Sequence, residues 1–185
     1  MRPGNDRAVI RSGAMWGFAE ATLFFIVPDV LLTSLALNSF RKAVLAALAA
    51  AMAATIGGLL VWLGAHWFPV EIKAVLLAVP GISENTFSSV QALLKSGAFS
   101  GMLQGAFSGM PYKIFAAEAG STDINPVLFA ILTPIARLPR FLLLSVAAWT
   151  LSWAVGTRMA TKSKLRSALV LWCVFYFGYF SVIGW

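Results

Sequence analysis

The chain has 185 residues, of which 59% are hydrophobic and 11% are charged, and its formal net charge is +7. Soluble domains are roughly 45–50% apolar and about 25% charged, so this composition predicts a single helical membrane domain over residues 1–185. The one cysteine, Cys173, excludes an internal disulfide framework. The basic residues flank apolar segments, which is typical of membrane topology signals and not of nucleic-acid binding.

Residues 14–38 are apolar but contain two acids, Glu20 and Asp29, with Pro28 directly before the second. A carboxylate at membrane depth costs at least roughly 2.5–3.5 kcal/mol, so it normally faces protein or water. Pro28 breaks a helix, and each arm is shorter than the ~20 residues that cross a bilayer. We therefore predict a re-entrant hairpin that enters the membrane and returns, preceded by residues 1–13 on the cytoplasmic surface.

Residues 43–67 are the clearest predicted transmembrane helix, because no acidic residue, Lys or Arg interrupts them. Their many alanines and glycines allow neighbouring helices to approach closely, which predicts a central packing helix. Residues 69–96 are less hydrophobic, and Ser83 before Glu84 predicts a capped amphipathic helix on the membrane surface. A soluble-style helix packed on the far side of the protein is the alternative.

Residues 97–120 repeat the order of the first hairpin: a short arm, Pro111, the ionisable Lys113 and a second short arm. They predict a second re-entrant hairpin, and broken segments in both halves of a chain are typical of a transport site between inverted repeats. A single kinked helix with a snorkelling Lys113 is the alternative. Glycines at every fourth position predict a glycine face on the first arm: Gly97, Gly101, Gly105 and Gly109.

Residues 127–157 predict a long transmembrane helix that is broken near Pro134 and carries Arg137 and Arg140. Residues 158–166 follow as a loop with four basic residues and no acid. Such a loop is expected in the cytoplasm under the positive-inside rule.

Residues 167–185 are an apolar run just long enough for a third transmembrane helix. A cytoplasmic basic loop before this run places the N-terminus in the cytoplasm and the C-terminus outside. The two hairpins then enter from opposite faces, and their prolines and charges are expected to meet near the midplane. The predicted fold is thus all-α, with about three transmembrane helices, two opposed re-entrant hairpins and a surface helix.

Three segments carry a resemblance to a known family: FAEATLFFIVPDVLL, GMPYKIFAAEAG and RLPRFLLL. They resemble the two re-entrant motifs and the arginine-bearing helix of the DedA family, also called VTT or SNARE-associated membrane proteins, in a short bacterial branch. The resemblance covers most of residues 14–157. Better-known members have a glycine-arginine-phenylalanine-proline-x-arginine signature, where this chain has Pro111-Tyr112-Lys113 and, later, Arg137 and Arg140.

The resemblance implies a flippase or scramblase of the bacterial inner membrane. Its substrate would be an anionic phospholipid or a polyprenyl-phosphate that moves between leaflets, with protons as the candidate coupling ion. The residues suit this chemistry, because a phosphate in an apolar core needs basic partners and carboxylates can balance them when the site is empty. The predicted transport residues are Glu20, Asp29, Lys113, Arg137 and Arg140.

Other readings of the same charges remain open. They can form a static set of buried ion pairs, serve a membrane-embedded lipid-phosphate enzyme, or belong to a structural or assembly protein. No catalytic motif is present and His66 is expected at the membrane interface, so we predict a non-enzyme without metal or cofactor. We expect no nucleic-acid partner, and a homo-oligomer is left open.

Overall fold

The computed structural model describes residues 3–183 and forms nine α-helices in that range, with no β-strand there. Residues 1–2 and 184–185 lie outside the described residues, and with them the outer ends of the predicted surface segment 1–13 and of the predicted span 167–185. Two of the described helices, α3 and α8, are long and apolar enough to cross a membrane. The helices are α1 (Pro3–Thr22), α2 (Asp29–Ala36), α3 (Phe40–Trp67), α4 (Pro69–Leu77), α5 (Glu84–Lys95), α6 (Ala98–Ser108), α7 (Tyr112–Ser121), α8 (Pro126–Val155) and α9 (Thr161–Ile183).

Helices α1 and α2 form a helical hairpin against α3. Helix α1 runs parallel to α3, since Gly13 packs on Ala46 and Gly17 packs on Ala50 of that helix. Small residues permit this close contact, because a side chain at either glycine would overlap the α3 backbone. Helix α2 then returns to the start of α3, where Ser39 caps the helix. The hairpin therefore extends from the N-terminal end of α3 to its middle.

Helices α6 and α7 form a second helical hairpin that approaches from the opposite end. Helix α7 finishes beside the C-terminal half of α3, because Gly120 packs on the Trp62 carbonyl and the Trp62 indole donates to the Ile124 carbonyl at 2.9 Å. Helix α8 lies antiparallel to α3, and Phe40 of α3 contacts Trp149 near the end of α8 at 5.7 Å between ring centroids. Each helical hairpin is thus followed by a long helix. The second hairpin has two short helices of 11 and 10 residues, whereas the first pairs the 20-residue α1 with the 8-residue α2, so its first arm is longer than predicted.

Helix α8 is continuous, so the predicted break near Pro134 is wrong. Pro134 and Pro139 both lie inside the helix, where each removes one backbone donor. The helix continues because it packs along α3, α2 and α6, and packing decides helix continuity where local propensity is weak. The predicted single segment 127–157 therefore corresponds to one uninterrupted helix, followed by a 3-10 turn at Gly156–Arg158.

The basic segment 158–166 is only partly a loop. Helix α9 begins at Thr161, so three of the four basic residues lie in its first two turns. One of them, Lys164, donates to the carbonyl of Ser152 at 2.7 Å and so satisfies an acceptor in the last turn of α8. A lysine near a helix C-terminus is favourable for this reason. The charge of the segment alone does not indicate this contact.

The first hairpin differs from its prediction at its start and at its turn. Helix α1 begins at Pro3 instead of near residue 14, so the described part of the predicted surface segment 1–13 is helical. The hairpin turn spans residues 23–28, and Pro28 is only its last residue.

Residues 69–96 form α4 and α5, and Ser83 caps α5 in a capping box with Thr86, as its sequence predicts.

The predicted glycine face of α6 is reduced to two residues. Gly97 and Gly109 lie at the ends of the helix with φ of 134° and 80°, which only glycine adopts readily. Gly101 packs on the Leu93 backbone of α5, and Gly105 packs on the ring of Phe115 in α7. The spacing of four residues therefore reflects two caps and two close contacts.

Candidate functional site

A cavity of about 260 Å³ lies where the two helical hairpins meet, and we call it the central cavity. Its walls come from both hairpins, from the middle of α8 and from α9. All the charged residues that the sequence predicts for transport line it: Glu20, Asp29, Lys113, Arg137 and Arg140. Pro111 also belongs to the lining, and Pro28 is buried directly before Asp29.

Two buried ion pairs connect α8 to the first hairpin. Arg137 donates through Nη2 to Glu20 Oε2 at 2.5 Å, and these side chains are 9% and 6% exposed. Three residues later, Arg140 donates through Nη2 to Asp29 Oδ2 at 2.6 Å. Positions three apart lie on one face of a helix, so both arginines of α8 face the same hairpin.

Lys113 joins the tips of the two hairpins. It lies in the first turn of α7, and its Nζ donates to the Phe24 carbonyl in the turn of the first hairpin at 2.7 Å. It forms no ion pair with any carboxylate of residues 3–183 that the structure describes. The ammonium group is therefore held by a neutral acceptor, although its side chain is buried.

The charged lining carries an excess of positive charge. Three cations face two carboxylates, which leaves a formal charge of +1. Arg137 Nε and Asp29 Oδ1 are also buried without a hydrogen-bond partner among the described residues. Since buried polar atoms are normally paired, the residues that line the cavity hold one unsatisfied donor and one unsatisfied acceptor beside the excess charge.

Aromatic rings hold the Arg137 guanidinium in place. Its Cζ lies 4.4 Å from the centroid of the Tyr112 ring and 5.1 Å from that of Phe141, within the range of cation–π attraction. The Tyr112 hydroxyl in turn is 2.9 Å from Thr133 Oγ1 of α8. The position of Arg137 is thus fixed by its carboxylate and by two aromatic faces.

Sequence reasoning missed the side chains that hold the turn 23–28. Trp16 donates through Nε1 to the Ile26 carbonyl at 2.9 Å, and the Val27 amide donates to the Tyr176 hydroxyl at 2.9 Å. Together with Lys113, they satisfy backbone groups that no helix pairs. The aromatic composition of residues 167–185 is visible in the sequence, but nothing local indicates which ring reaches the turn.

Removing the Tyr176 hydroxyl is expected to destabilise the turn. In Tyr176→Phe the Val27 amide loses its acceptor, and an unpaired buried donor costs about 1–3 kcal/mol. Thermal unfolding of the purified protein in detergent measures the loss. Tyr179→Phe is the matched control, because no hydrogen bond of that hydroxyl is found among the described residues. Equal stability of the two variants would contradict this role of Tyr176.

No family model matches the chain, and no solved structure matches it. A protein of Haemophilus influenzae that is described only as uncharacterized is 28% identical over 158 residues, which cover 85% of this chain and 79% of that protein. The similarity extends over most of both chains but brings no activity with it. The function has to be argued from the central cavity and its surroundings.

Proposed function

We propose that this protein is an integral membrane protein in which α3, α8 and α9 cross the bilayer and the two helical hairpins are re-entrant. What supports this is the large apolar surface, because contiguous exposed apolar patches beyond a few hundred Å² are rare on soluble monomers. Exposed apolar side chains recur along α3, α8 and α9. They include Leu48, Met52, Ile56, Leu60, Leu63, Ile131, Ile135, Leu143, Leu151, Trp153, Val170, Leu171, Val174 and Phe177.

The proposed membrane is the bacterial inner membrane, with the N-terminal end of α3 on the cytoplasmic side. Arg41 and Lys42 begin this helix, and the Arg41 side chain pairs with Asp6 of α1 at 2.9 Å. The basic start of α9 lies at the same end, since Lys164 contacts the last turns of α8. The positive-inside rule favours a cytoplasmic location for this end and an external C-terminus.

The ligand that we propose for the central cavity is the phosphate of an anionic lipid. The observation that carries this proposal is the charge excess, with Lys113 bound only to a carbonyl and Arg137 Nε unpaired. A phosphate can take both an ammonium and a guanidinium as charge-assisted donors. Helix α7 also begins at Tyr112 in the cavity wall, and helix N-termini favour anions.

We further propose that the protein moves this lipid between leaflets as a flippase or scramblase. Hairpins from opposite ends of the helix bundle meet at the cavity, which is the arrangement expected for a site that opens alternately to either side. Protonation of Glu20 or Asp29 would release its arginine to the phosphate, so protons are the proposed coupling ion. Membership of the DedA family is proposed on the motifs in residues 14–157 and implies the same activity.

Neutralising Lys113 tests the proposal. In liposomes, the wild-type protein is expected to accelerate transbilayer movement of fluorescently labelled phosphatidic acid. Lys113→Gln keeps a donor for the Phe24 carbonyl but removes the charge, and it should slow this movement about tenfold, equivalent to ~1.4 kcal/mol of lost phosphate interaction. Movement is measured as the fraction of the fluorescent label that a membrane-impermeant quencher added outside the liposomes can reach over time.

Lys95→Gln is the matched control, since Lys95 is exposed at the end of α5 and does not line the central cavity. It should transport at the wild-type rate. Normal transport by Lys113→Gln would contradict the proposed anion site. Release of inorganic phosphate from the lipid would instead favour a membrane-embedded enzyme.

A further inference from the structure

A second depression lies on the outer surface of the protein, between α6, α8 and α9, and we call it the outer groove. Its walls are apolar, and their side chains are mostly exposed. Arg140 is the only charged residue that lines it in the described part of the chain. The lining residues used here are Phe107, Arg140, Leu143, Leu144, Leu171 and Phe175.

The outer groove adjoins the central cavity, because two residues belong to the walls of both. Arg140 and Phe175 line both of them. Arg140 is also the more open of the two cavity arginines, with its side chain 22% exposed against 9% for Arg137. One guanidinium therefore faces a charged interior on one side and a hydrocarbon-lined surface on the other.

The packing of α9 leaves this side of the cavity accessible. Helix α9 packs mainly against α2. The Trp172 indole donates to Thr33 Oγ1 of α2 at 3.0 Å, and the Tyr176 hydroxyl accepts from the Val27 amide in the turn before α2. Direct contacts between α8 and α9 are few, and the outer groove lies along the seam between them. Trp172 lines this groove and also contacts α2.

We propose that the outer groove binds the hydrocarbon chain of the lipid whose phosphate occupies the central cavity, so that the lipid enters sideways between α8 and α9. This inference rests on the proposed function and adds a second determinant of the substrate. A ligand that spans both sites has an anionic head and an apolar tail joined directly to it. The two adjoining surfaces thus select a lipid phosphate over a soluble phosphate.

Filling the groove tests this inference. Leu171 is 71% exposed, so Leu171→Trp adds a ring to the groove wall without disturbing the core. Binding to the full-length purified protein is measured with two probes, long-chain phosphatidic acid and water-soluble dibutyl phosphate. We expect Leu171→Trp to weaken binding of the long-chain probe about tenfold, the effect of exposing roughly two methylenes, and to leave dibutyl phosphate binding unchanged.

The matched control is Val174→Trp, which places the same ring on an exposed position of α9 outside the groove. It should bind both probes like the wild type. If Leu171→Trp also binds both normally, the groove inference is overturned while the anion site stands. If the wild type binds neither probe, the proposed function fails and this inference fails with it.

A second copy of the chain is the competing occupant of the groove. Leu171→Cys in a Cys173→Ser background tests it, because the native exposed thiol is then removed. Cross-linking of two copies through this cysteine, undiminished by long-chain phosphatidic acid, would make the groove a subunit interface and overturn the proposal. Absence of cross-linking, together with weaker binding of long-chain phosphatidic acid by Leu171→Trp, supports the lipid chain as the occupant of the groove.

Discussion

Arg137→Ala is expected to destabilise the protein and to abolish lipid transport. The substitution leaves the buried Glu20 carboxylate without its cation, and breaking one side of a buried ion pair costs about 3–5 kcal/mol. It also removes the guanidinium from between the Tyr112 and Phe141 rings, which adds lost packing. The unfolding transition in detergent should shift accordingly.

A loss of transport by Arg137→Ala alone would not separate a binding role from a structural one. The double variant Arg137→Met, Glu20→Gln removes both charges and keeps most of the side-chain volume. Replacing a complete buried pair is often neutral or stabilising, so the double variant should recover most of the lost stability. If Arg137 binds the phosphate, transport stays at background level although the protein is folded.

The surface pair of Arg41 with Asp6 supplies the control for stability. Its side chains are 61% and 28% exposed, and such pairs are worth at most about 1 kcal/mol. Arg41→Ala should therefore unfold nearly like the wild type.

Transport at the wild-type rate by the double variant would show that the buried charges hold the hairpins together and do not bind the lipid.

The predictable features of this fold are those with local causes. Pro28 and Pro111 lack a backbone donor and directly precede α2 and α7, so the starts of these two helices follow from the sequence. Charges in apolar segments need partners, and the two predicted hairpins and the span 127–157 hold six of them. The convergence of five on one cavity could therefore be expected from the sequence, whereas the sixth, Glu118, is buried but does not line it.

The remaining features depend on packing that no short segment encodes. The pairing of Glu20 with Arg137 and of Asp29 with Arg140 is set by the position of the first hairpin along α8. Pro134 has the same local effect as Pro111, yet α8 continues through it because its neighbours hold both sides. The role of Tyr176 depends on a contact across 149 positions of the chain.

Gly17→Leu is expected to lower the stability of the protein about as much as Arg137→Ala does. The cause is a clash with backbone atoms of α3. A Cβ at Gly17 would overlap the Ala50 backbone of α3, and a backbone atom cannot rotate away as a side chain can. The two helices must separate, which we expect to cost about 3 kcal/mol or more, at the upper end for overpacked sites. Gly17→Ala should give a smaller loss in the same direction.

The separation also moves the site. Glu20 lies one helical turn beyond Gly17 on α1, so shifting α1 away from α3 withdraws this carboxylate from Arg137. Lipid transport should fall together with stability in Gly17→Leu. Met15→Leu is the control on the same helix, because Met15 is 73% exposed and a volume-conserving change there disturbs no contact of α3. If Gly17→Leu unfolds and transports like Met15→Leu, the close contact of α1 with α3 does not position Glu20.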